Sequence, residues 1–280
     1  MNILELLNFG SNKLKFKNIN TSKLDAELLL SKVLESKREK ILIDQHKIIQ
    51  MRKIKEFYNL IERRSLKEPL AYILEEKEFF SKPFKVDHST LIPRPETELI
   101  VEKLVEIYKD KSVFILDIGT GSGCILISLL SELIHSKGIG IDICNKALLV
   151  AKENVDKNKV TRRLKLMRRS FTELYNFRFD LIVSNPPYIA KNHIKNLEDD
   201  IKKYEPLLAL DGGNDGVDVI KKVIYKAKEI LKIKGKLALE IGNKQYLKVS
   251  KILKDNNFKI EHNIKDYKEN IRCLISSLTK

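Results

Sequence analysis

The sequence predicts an α/β protein: a seven-stranded, doubly wound sheet preceded by a small N-terminal helical bundle and a β-hairpin linker. Three observations carry this reading. Apolar residues recur at three- and four-residue spacing up to about Leu66, the period shifts toward two between Pro69 and His88, and from Ser112 onward short apolar runs alternate with longer helical stretches. At 280 residues the chain has room for two domains of about 100–200 residues each. The pattern divides it into a helical domain at 1–66, a linker at 67–90 and a sheet domain at 91–280.

In the helical part, Leu24, Leu28, Leu29, Val33 and Leu34 form an apolar stripe that Thr21 or Ser22 can cap. Stretches at 40–43 and 48–61 continue the bundle with lysines on its polar faces. The runs 70–74 and 79–86, separated by charged and proline-containing turns, read as hairpin strands. A helix at 98–108 then leads into strands expected at 112–117, 138–142, 163–167, 180–184, 236–241, 259–262 and 272–277. Helices are expected between them at 124–134, 146–158, 216–233 and 246–255. A doubly wound sheet takes its ligand at the carboxyl ends of the strands, near the point where strand order reverses.

Composition excludes several classes. The chain has no run of roughly 20 apolar residues, the length needed to span a bilayer. The first residues, Met1 to Leu7, lack the basic and apolar regions of a secretory leader, so a cytoplasmic location is expected. Cys124, Cys144 and Cys273 are odd in number and widely spaced, and read as small buried residues. The five histidines show no metal-binding spacing, and no metal is expected. The formal charge of +15 comes mostly from lysines spread along the whole chain. That distribution reads as a diffuse solvated face; it predicts no stable nucleic-acid partner and leaves room for attraction to an acidic protein or an RNA-containing assembly.

Three segments carry chemistry. In the first, the apolar run Val113–Leu116 ends in Asp117 and passes through Ile118 into Gly119-Thr120-Gly121-Ser122-Gly123. Glycines here permit positive φ and let a ligand lie against the backbone. A dinucleotide fingerprint would read GxGxxG, but the third glycine comes one position early and Cys124 stands in its place, which disfavours nicotinamide. In the second segment Asp142 ends the next strand, 25 positions after Asp117, where a carboxylate can accept from both ribose hydroxyls. Together these describe a nucleoside site without phosphate-binding residues, with Asp117 orienting the loop and the amino-acid end of the ligand.

The third segment is the apolar strand Phe179–Ser184 followed by Asn185-Pro186-Pro187-Tyr188. Two prolines fix the backbone, so the Asn185 side-chain oxygen and the Pro186 carbonyl are available as acceptors. Two acceptors in one plane suit a planar NH2 group, with Tyr188 packing over it and its π-face turned toward a sulfonium methyl. The reaction expected is methyl transfer to an amide or amino nitrogen, with Asn185, Pro186 and Tyr188 as the catalytic residues and Pro187 also contacting the substrate.

These motifs resemble those of the release-factor glutamine methyltransferases, which modify the glutamine of the Gly-Gly-Gln motif in peptide chain release factors. The resemblance runs through Leu24–Leu30, Glu68–Ile73, Glu78–Phe80 and Leu91-Ile92-Pro93-Arg94-Pro95-Glu96-Thr97-Glu98. It continues through Asp117–Gly123, Asp142, Asn185–Tyr188, Glu205–Leu207, Leu210–Gly213 and Leu239–Gly242. It implies a methyltransferase domain that uses S-adenosylmethionine, with Asp117, Gly119, Thr120, Gly121, Ser122, Gly123, Asp142, Phe171 and Asn185 at the cofactor. By the same resemblance Phe171 stacks on the adenine, and 185–188 hold the substrate glutamine at N5. The chain departs from the family at Ser170-Phe171, where an Asp-Trp pair is frequent, and at Asn243, where an aromatic residue is common. Because Asn-Pro-Pro-Tyr also occurs in methyltransferases acting on adenine in DNA or RNA, an adenine-amino methyltransferase is the alternative expectation.

Overall fold

The computed structural model describes residues 1–279. In chain order the helices are α1 (Ile3–Phe16), α2 (Ser22–Leu34), α3 (Arg38–Ile43), α4 (Met51–Ser65), α5 (Leu70–Leu74), α6 (Pro95–Tyr108), α7 (Cys124–Glu132), α8 (Asn145–Lys157), α9 (Asp199–Tyr204), α10 (Asp218–Ile230) and α11 (Tyr246–Asp255). The strands are β1 (Glu76–Phe79), β2 (Lys82–Lys85), β3 (Phe114–Ile118), β4 (Lys137–Asp142), β5 (Leu164–Arg168), β6 (Phe179–Ser184), β7 (Leu231–Glu240), β8 (Phe258–Lys265) and β9 (Ile271–Leu278). The chain forms two compact units, one of residues 1–76 with 198–204 and one of 77–197 with 205–280.

The first unit is helical. A capping box starts α1: the Asn2 side chain accepts from the Glu5 amide at 2.9 Å and Glu5 accepts from the Asn2 amide at 3.0 Å. The core is built on Leu6, Leu29, Leu30, Phe57 and Ile61. Three acids that the sequence places among apolar residues are buried, and each is paired. Asp25 accepts from Arg64 at 2.7 Å, Glu27 from Arg38 at 2.6 Å, and Glu68 takes both Nε and Nη2 of Arg63 at 2.8 and 2.6 Å. Removing one partner would strand a buried charge, which typically costs about 3–5 kcal/mol.

Residues 70–74, expected as a strand, instead form α5. The Pro69 carbonyl accepts from the Tyr72 and Ile73 amides, and Glu75 at φ 60° ends the helix. A five-residue apolar run does not distinguish a buried helix from a strand, and burial of Tyr72 and Ile73 on one turn decides it. Neither the Thr21 nor the Ser22 side chain caps α2; Thr21 sits at the N-cap without a side-chain bond.

The second unit holds the hairpin β1–β2 and a seven-stranded sheet of order β5-β4-β3-β6-β7-β9-β8. β5, β4, β3, β6 and β7 run parallel, while β9 is antiparallel to both β7 and β8. β7 begins at Leu231 rather than at 236, because a register irregularity opposite Phe179 and Lys234 at φ 66° let the strand start before the Gly235 kink. One core packs α6 and α7 against the sheet through Leu104, Leu126 and Leu130; the other packs α10 and α11 through Ile220, Ile224 and Val249. Phe79 and Phe84 of the hairpin belong to the first of these cores, their rings edge to face at 6.0 Å between centroids.

Asn154 on α8 joins the hairpin to the loop after β3. Its Oδ1 accepts from the Lys85 amide at 2.7 Å, and its Nδ2 donates to the Lys85 and Ser122 carbonyls, each at 2.9 Å. The residue is fully buried, so Asn154→Ala would remove all three of these hydrogen bonds at once. We expect a loss of about 3 kcal/mol in denaturant unfolding, from three bonds worth roughly 0.5–1.5 kcal/mol each. A loss below about 0.5 kcal/mol, the range of inert surface changes, would show that the tether is not structural.

Candidate active site

Strand order reverses at β3, whose neighbours are β4 on one side and β6 on the other. The register pairs Ile118 with Ser184 and with Ile141, so the chain leaves β3, β4 and β6 at one level. The buried Ser184 hydroxyl donates to the Ile118 carbonyl at 2.7 Å and locks two of those ends together. The glycine loop and residues 185–188 therefore emerge side by side.

The glycine loop is pinned from β4. The Gly119 and Thr120 amides donate to the Ile141 carbonyl at 3.0 and 2.9 Å. Gly119 and Gly121 have φ of 73° and 54°, and a side chain at Gly119 would project into open space. The loop thus presents bare backbone to a cavity, which needs glycine at both positions. Asp142 accepts from the Gly121 amide at 3.0 Å and from the Cys144 amide at 2.9 Å, so it shapes the loop as well as ending β4. Both of its oxygens retain acceptor capacity beyond those bonds.

Asp117 is buried at the end of β3. One carboxylate oxygen accepts from the Thr120 hydroxyl at 2.6 Å, and the other has no partner. Burial pushes its pKa up to about 7, with the Asp142 charge adding to the rise and the Thr120 hydrogen bond opposing it. A buried acceptor in this state suits a cationic ligand group.

Beyond β6, Asn185 donates from Nδ2 to the Thr97 hydroxyl at 3.4 Å, and Thr97 donates in turn to Glu240 at 2.6 Å. Tyr188 donates its hydroxyl to the other Glu240 oxygen at 3.3 Å. Burial raises the pKa of Glu240 and of Tyr188; the Thr97 and Tyr188 hydroxyls and the Arg272 charge counteract it at the carboxylate. Gln245 donates to the Tyr188 carbonyl at 2.9 Å and to the Gly216 carbonyl at 3.1 Å. A side chain at Gly212 would stand 2.8 Å from both the Pro187 carbonyl oxygen and the Tyr188 Cα, so this close approach requires glycine.

A cavity of about 820 Å³ opens between these loops. It is lined by Gly119, Thr120, Gly121, Ser122, Asp142, Phe171, Asn185, Pro186 and Pro187 among the residues expected from the sequence. Asp117, Gly123 and Tyr188 lie behind that surface, and the Tyr188 ring faces Glu240 and Gly242. The volume falls in the range of about 300–1,000 Å³ usual for cofactor and substrate sites. The open glycine backbone and the Asp142 carboxylate on the cavity wall, with the Asp117 carboxyl buried behind the loop, fit a nucleoside carrying an amino-acid group.

Cys144 lines the cavity and is only half-buried, unlike the buried Cys124 and Cys273 and contrary to the sequence reading of all three as buried. All three thiols are free, and burial pushes that of Cys124 up to about 12, which removes it as a nucleophile. The sequence singled out no individual role for Arg94, Thr97, Glu205 or Glu240. Arg94 lines the cavity and donates to the buried Glu205 at 2.5 Å. Pro95 at the first turn of α6 marks a helix start, and that signal could have drawn attention to the residues around it. Among the described residues no cluster could hold a metal ion, and no helix is long and apolar enough to cross a membrane.

Residues 5–74 match the family described as the PrmC N-terminal domain, and residues 89–203 match the methyltransferase small domain. The release factor glutamine methyltransferase of Fusobacterium nucleatum subsp. nucleatum is 40% identical over 278 residues, covering 98% of this chain and 78% of that protein. A bifunctional methyltransferase of Rickettsia bellii is 36% identical over 304 residues, covering 99% of this chain but only 55% of that protein. The chain thus spans about half the length of this second relative. The crystal structure of the ribosomal protein L11 methylase from Lactobacillus delbrueckii subsp. bulgaricus shares the fold, with a TM-score of 0.53 at 18% identity over 73% of this chain and 90% of that one.

Asp117 sets a pH dependence. Its folded pKa of about 7 lies above the unfolded value near ~3.9, so the folded state holds the proton more tightly. The contribution of this group to stability is full below about pH 4 and declines as the pH rises through about 7. Asp117→Asn does not titrate, so its melting temperature without ligand should gain on the wild type between pH 5 and pH 8. A gap that stays constant across that range would show that Asp117 is already ionised at the lower pH.

Proposed function

Because this chain belongs to the release factor glutamine methyltransferases, we propose that it transfers a methyl group from S-adenosylmethionine to the side-chain amide nitrogen, N5, of the glutamine in the Gly-Gly-Gln motif of peptide chain release factors. We place it in the cytoplasm, with release factors as protein substrate and no stable nucleic-acid partner. One observation carries the reading at the level of geometry: the glycine loop and residues 185–187 face a single cavity from adjacent strand ends.

In this reading Gly119–Gly123 and Asp142 bind the nucleoside, with Asp142 accepting from the ribose hydroxyls. Asp117, behind the loop, orients it and favours the cationic amino-acid end of the cofactor through its unpartnered oxygen. Phe171 lines the cavity within the segment 169–172 and stacks on the adenine. Asn185 Oδ1 and the Pro186 carbonyl accept the two amide hydrogens and hold the nitrogen in the plane from which its lone pair attacks. Pro187 completes the substrate side; Tyr188, expected to pack over the substrate plane, instead turns its ring to Glu240 and Gly242 and braces the segment from behind. Bound in this cavity, the cofactor would supply an electrophilic methyl on sulfur to the amide nitrogen, the new nitrogen–carbon bond replacing the sulfur–carbon bond, whose electron pair would stay on sulfur.

An amide nitrogen is a poor nucleophile because its lone pair is delocalised. Alignment in a near-attack geometry can supply on the order of 7–11 kcal/mol. The methylated nitrogen is strongly acidic until it loses its extra proton, so the proton leaves after transfer and no dedicated base is required. The helical unit is proposed to dock the protein substrate, since every nucleoside-binding residue lies at or after Asp117.

Tritium transfer from labelled cofactor to a release factor, to its Gln→Ala variant, and to DNA and RNA tests the reading. Label on the wild-type release factor alone is expected; label on nucleic acid and not on protein would sink it. Asp142→Ala should weaken cofactor binding by at least about 10- to 150-fold, the equivalent of one charge-assisted bond of about 1.5–3 kcal/mol. An unchanged dissociation constant in a folded variant would leave Asp142 as a loop anchor alone.

Asn185→Ala should slow single-turnover transfer about 100- to 1000-fold, the effect of losing one pre-organised bond worth roughly 2.7–4 kcal/mol, with little change in cofactor affinity. Asn185→Asp, which still accepts, should retain more activity than the alanine variant. Near-wild-type turnover in a folded Asn185→Ala protein would rule out the amide clamp.

A further inference from the structure

An asparagine amide is nearly symmetric in shape, and turning it by 180° exchanges an acceptor for a donor. Holding a substrate NH2 group therefore needs more than Asn185 itself; it needs something to fix which end of the amide faces the substrate. We infer that Thr97 and Glu240 are positioning residues that hold the Asn185 amide with its oxygen toward the substrate and thereby select a planar NH2 donor over a carboxylate. This inference deepens the proposed function and rests on the reading of Asn185 as the substrate clamp.

The geometry assigns the direction of each bond. A threonine hydroxyl has a single hydrogen, and Thr97 donates it to Glu240 Oε2 at 2.6 Å. Toward Asn185 it has only lone pairs left, so the contact at 3.4 Å is made by Asn185 Nδ2 as donor. With Nδ2 committed to Thr97, Oδ1 is the end left for the substrate. The partners cannot easily be replaced by water, because Thr97 and Glu240 are 2% and 3% exposed.

Glu240 is placed for this role by the sheet. Ser184 pairs with Leu239 in the β6–β7 register, so the residues that follow, Asn185 just past the end of β6 and Glu240 as the last residue of β7, lie next to each other. The second Glu240 oxygen accepts from Tyr188 at 3.3 Å. One buried carboxylate thus holds both ends of the four-residue segment, Asn185 through Thr97 and Tyr188 directly. The Arg272 charge offsets the burial of that carboxylate.

The closing experiment uses the full chain with a release factor as substrate. Thr97→Val keeps the shape and removes the hydroxyl, and should slow single-turnover transfer about tenfold, the equivalent of one neutral hydrogen bond, without moving the cofactor dissociation constant. Thr97→Ser restores the hydroxyl and should restore the rate. A release factor carrying Gln→Glu should compete poorly against the glutamine form on the wild-type enzyme, and that discrimination should narrow in Thr97→Val. The side-chain NH2 resonances of Asn185, assigned by their loss in Asn185→Ala, should shift and exchange faster with water in Thr97→Val. If Thr97→Val does not fold, Glu240→Gln takes its place with the same expected slowing and the same change in those resonances. A folded Thr97→Val enzyme with the wild-type rate overturns the inference, as does a serine variant as slow as the valine one, which would point to packing of the methyl group. Should the wild type transfer no methyl to any release factor, the functional reading fails; unchanged Asn185 resonances in Thr97→Val would overturn the positioning role by themselves.

Discussion

The second unit depends on the parallel pairing of β3 with β6. Everything the site needs follows from two strands ending at the same level with a hydroxyl-to-carbonyl bond of 2.7 Å between Ser184 and Ile118. Gly119 and Asn185 are the next residues on each chain, so neither loop has to reach for the other. β4 then supplies Asp142 from the far side of β3, and β7 supplies Glu240 from the far side of β6. Asp117 and Glu240, 123 positions apart in sequence, are both brought to this end of the sheet, buried, by register alone. Short loops on a rigid sheet edge hold such groups with less freedom than long loops would.

Burial of charge is handled differently in the two units. In the helical unit Asp25, Glu27 and Glu68 each meet an arginine, an arrangement that fixes which helix faces meet and is costly to break. Around the cavity, of the three buried acids Asp117, Glu205 and Glu240, Glu205 alone is hydrogen-bonded to an arginine. Glu240 is held by two hydroxyls, Glu205 by Arg94, and Asp117 by one hydroxyl with an oxygen to spare. Asp117 is therefore the least satisfied of them, and the only one of these three in line with the glycine loop. Stability withheld at such a position is recovered when a cation arrives, which is the usual relation between an underfilled site and its ligand.

Much of this could be read from the sequence because the informative residues act locally. The glycine spacing after an apolar strand demands a turn of positive φ, and Gly119, Gly121 and Gly123 all adopt it. Phe179–Ser184 matches β6, and 246–255 is α11 to the residue. The misreadings fall where tertiary context decides. The five apolar residues 70–74 carry no period, so packing of Tyr72 and Ile73 made them a helix. β7 started early because an irregularity in pairing tolerates Lys234 and Gly235 inside a strand. Thr97 and Glu240 had no local signature as site residues: their meeting is set by the β6–β7 register and by how α6 packs, and one sequence without its contacts does not display either.

An Asn-Pro-Pro-Tyr segment offers acceptors to any planar amino nitrogen, whether on a nucleobase or an amide, and by itself does not choose between them. Leu91–Glu98 contributes Arg94 and Thr97 to the wall of the cavity, and α6 begins within that segment at Pro95. The same stretch is therefore the support of the Asn185 amide through Thr97 and part of the surface a substrate would meet through Arg94. Gly212 and Gln245 brace the opposite side, against the Pro187 and Tyr188 backbone, so the acceptor segment is held from both directions before any substrate binds. For a nucleophile as weak as an amide nitrogen this order of construction matters, because rate has to come from geometry fixed in advance rather than from a base that raises reactivity.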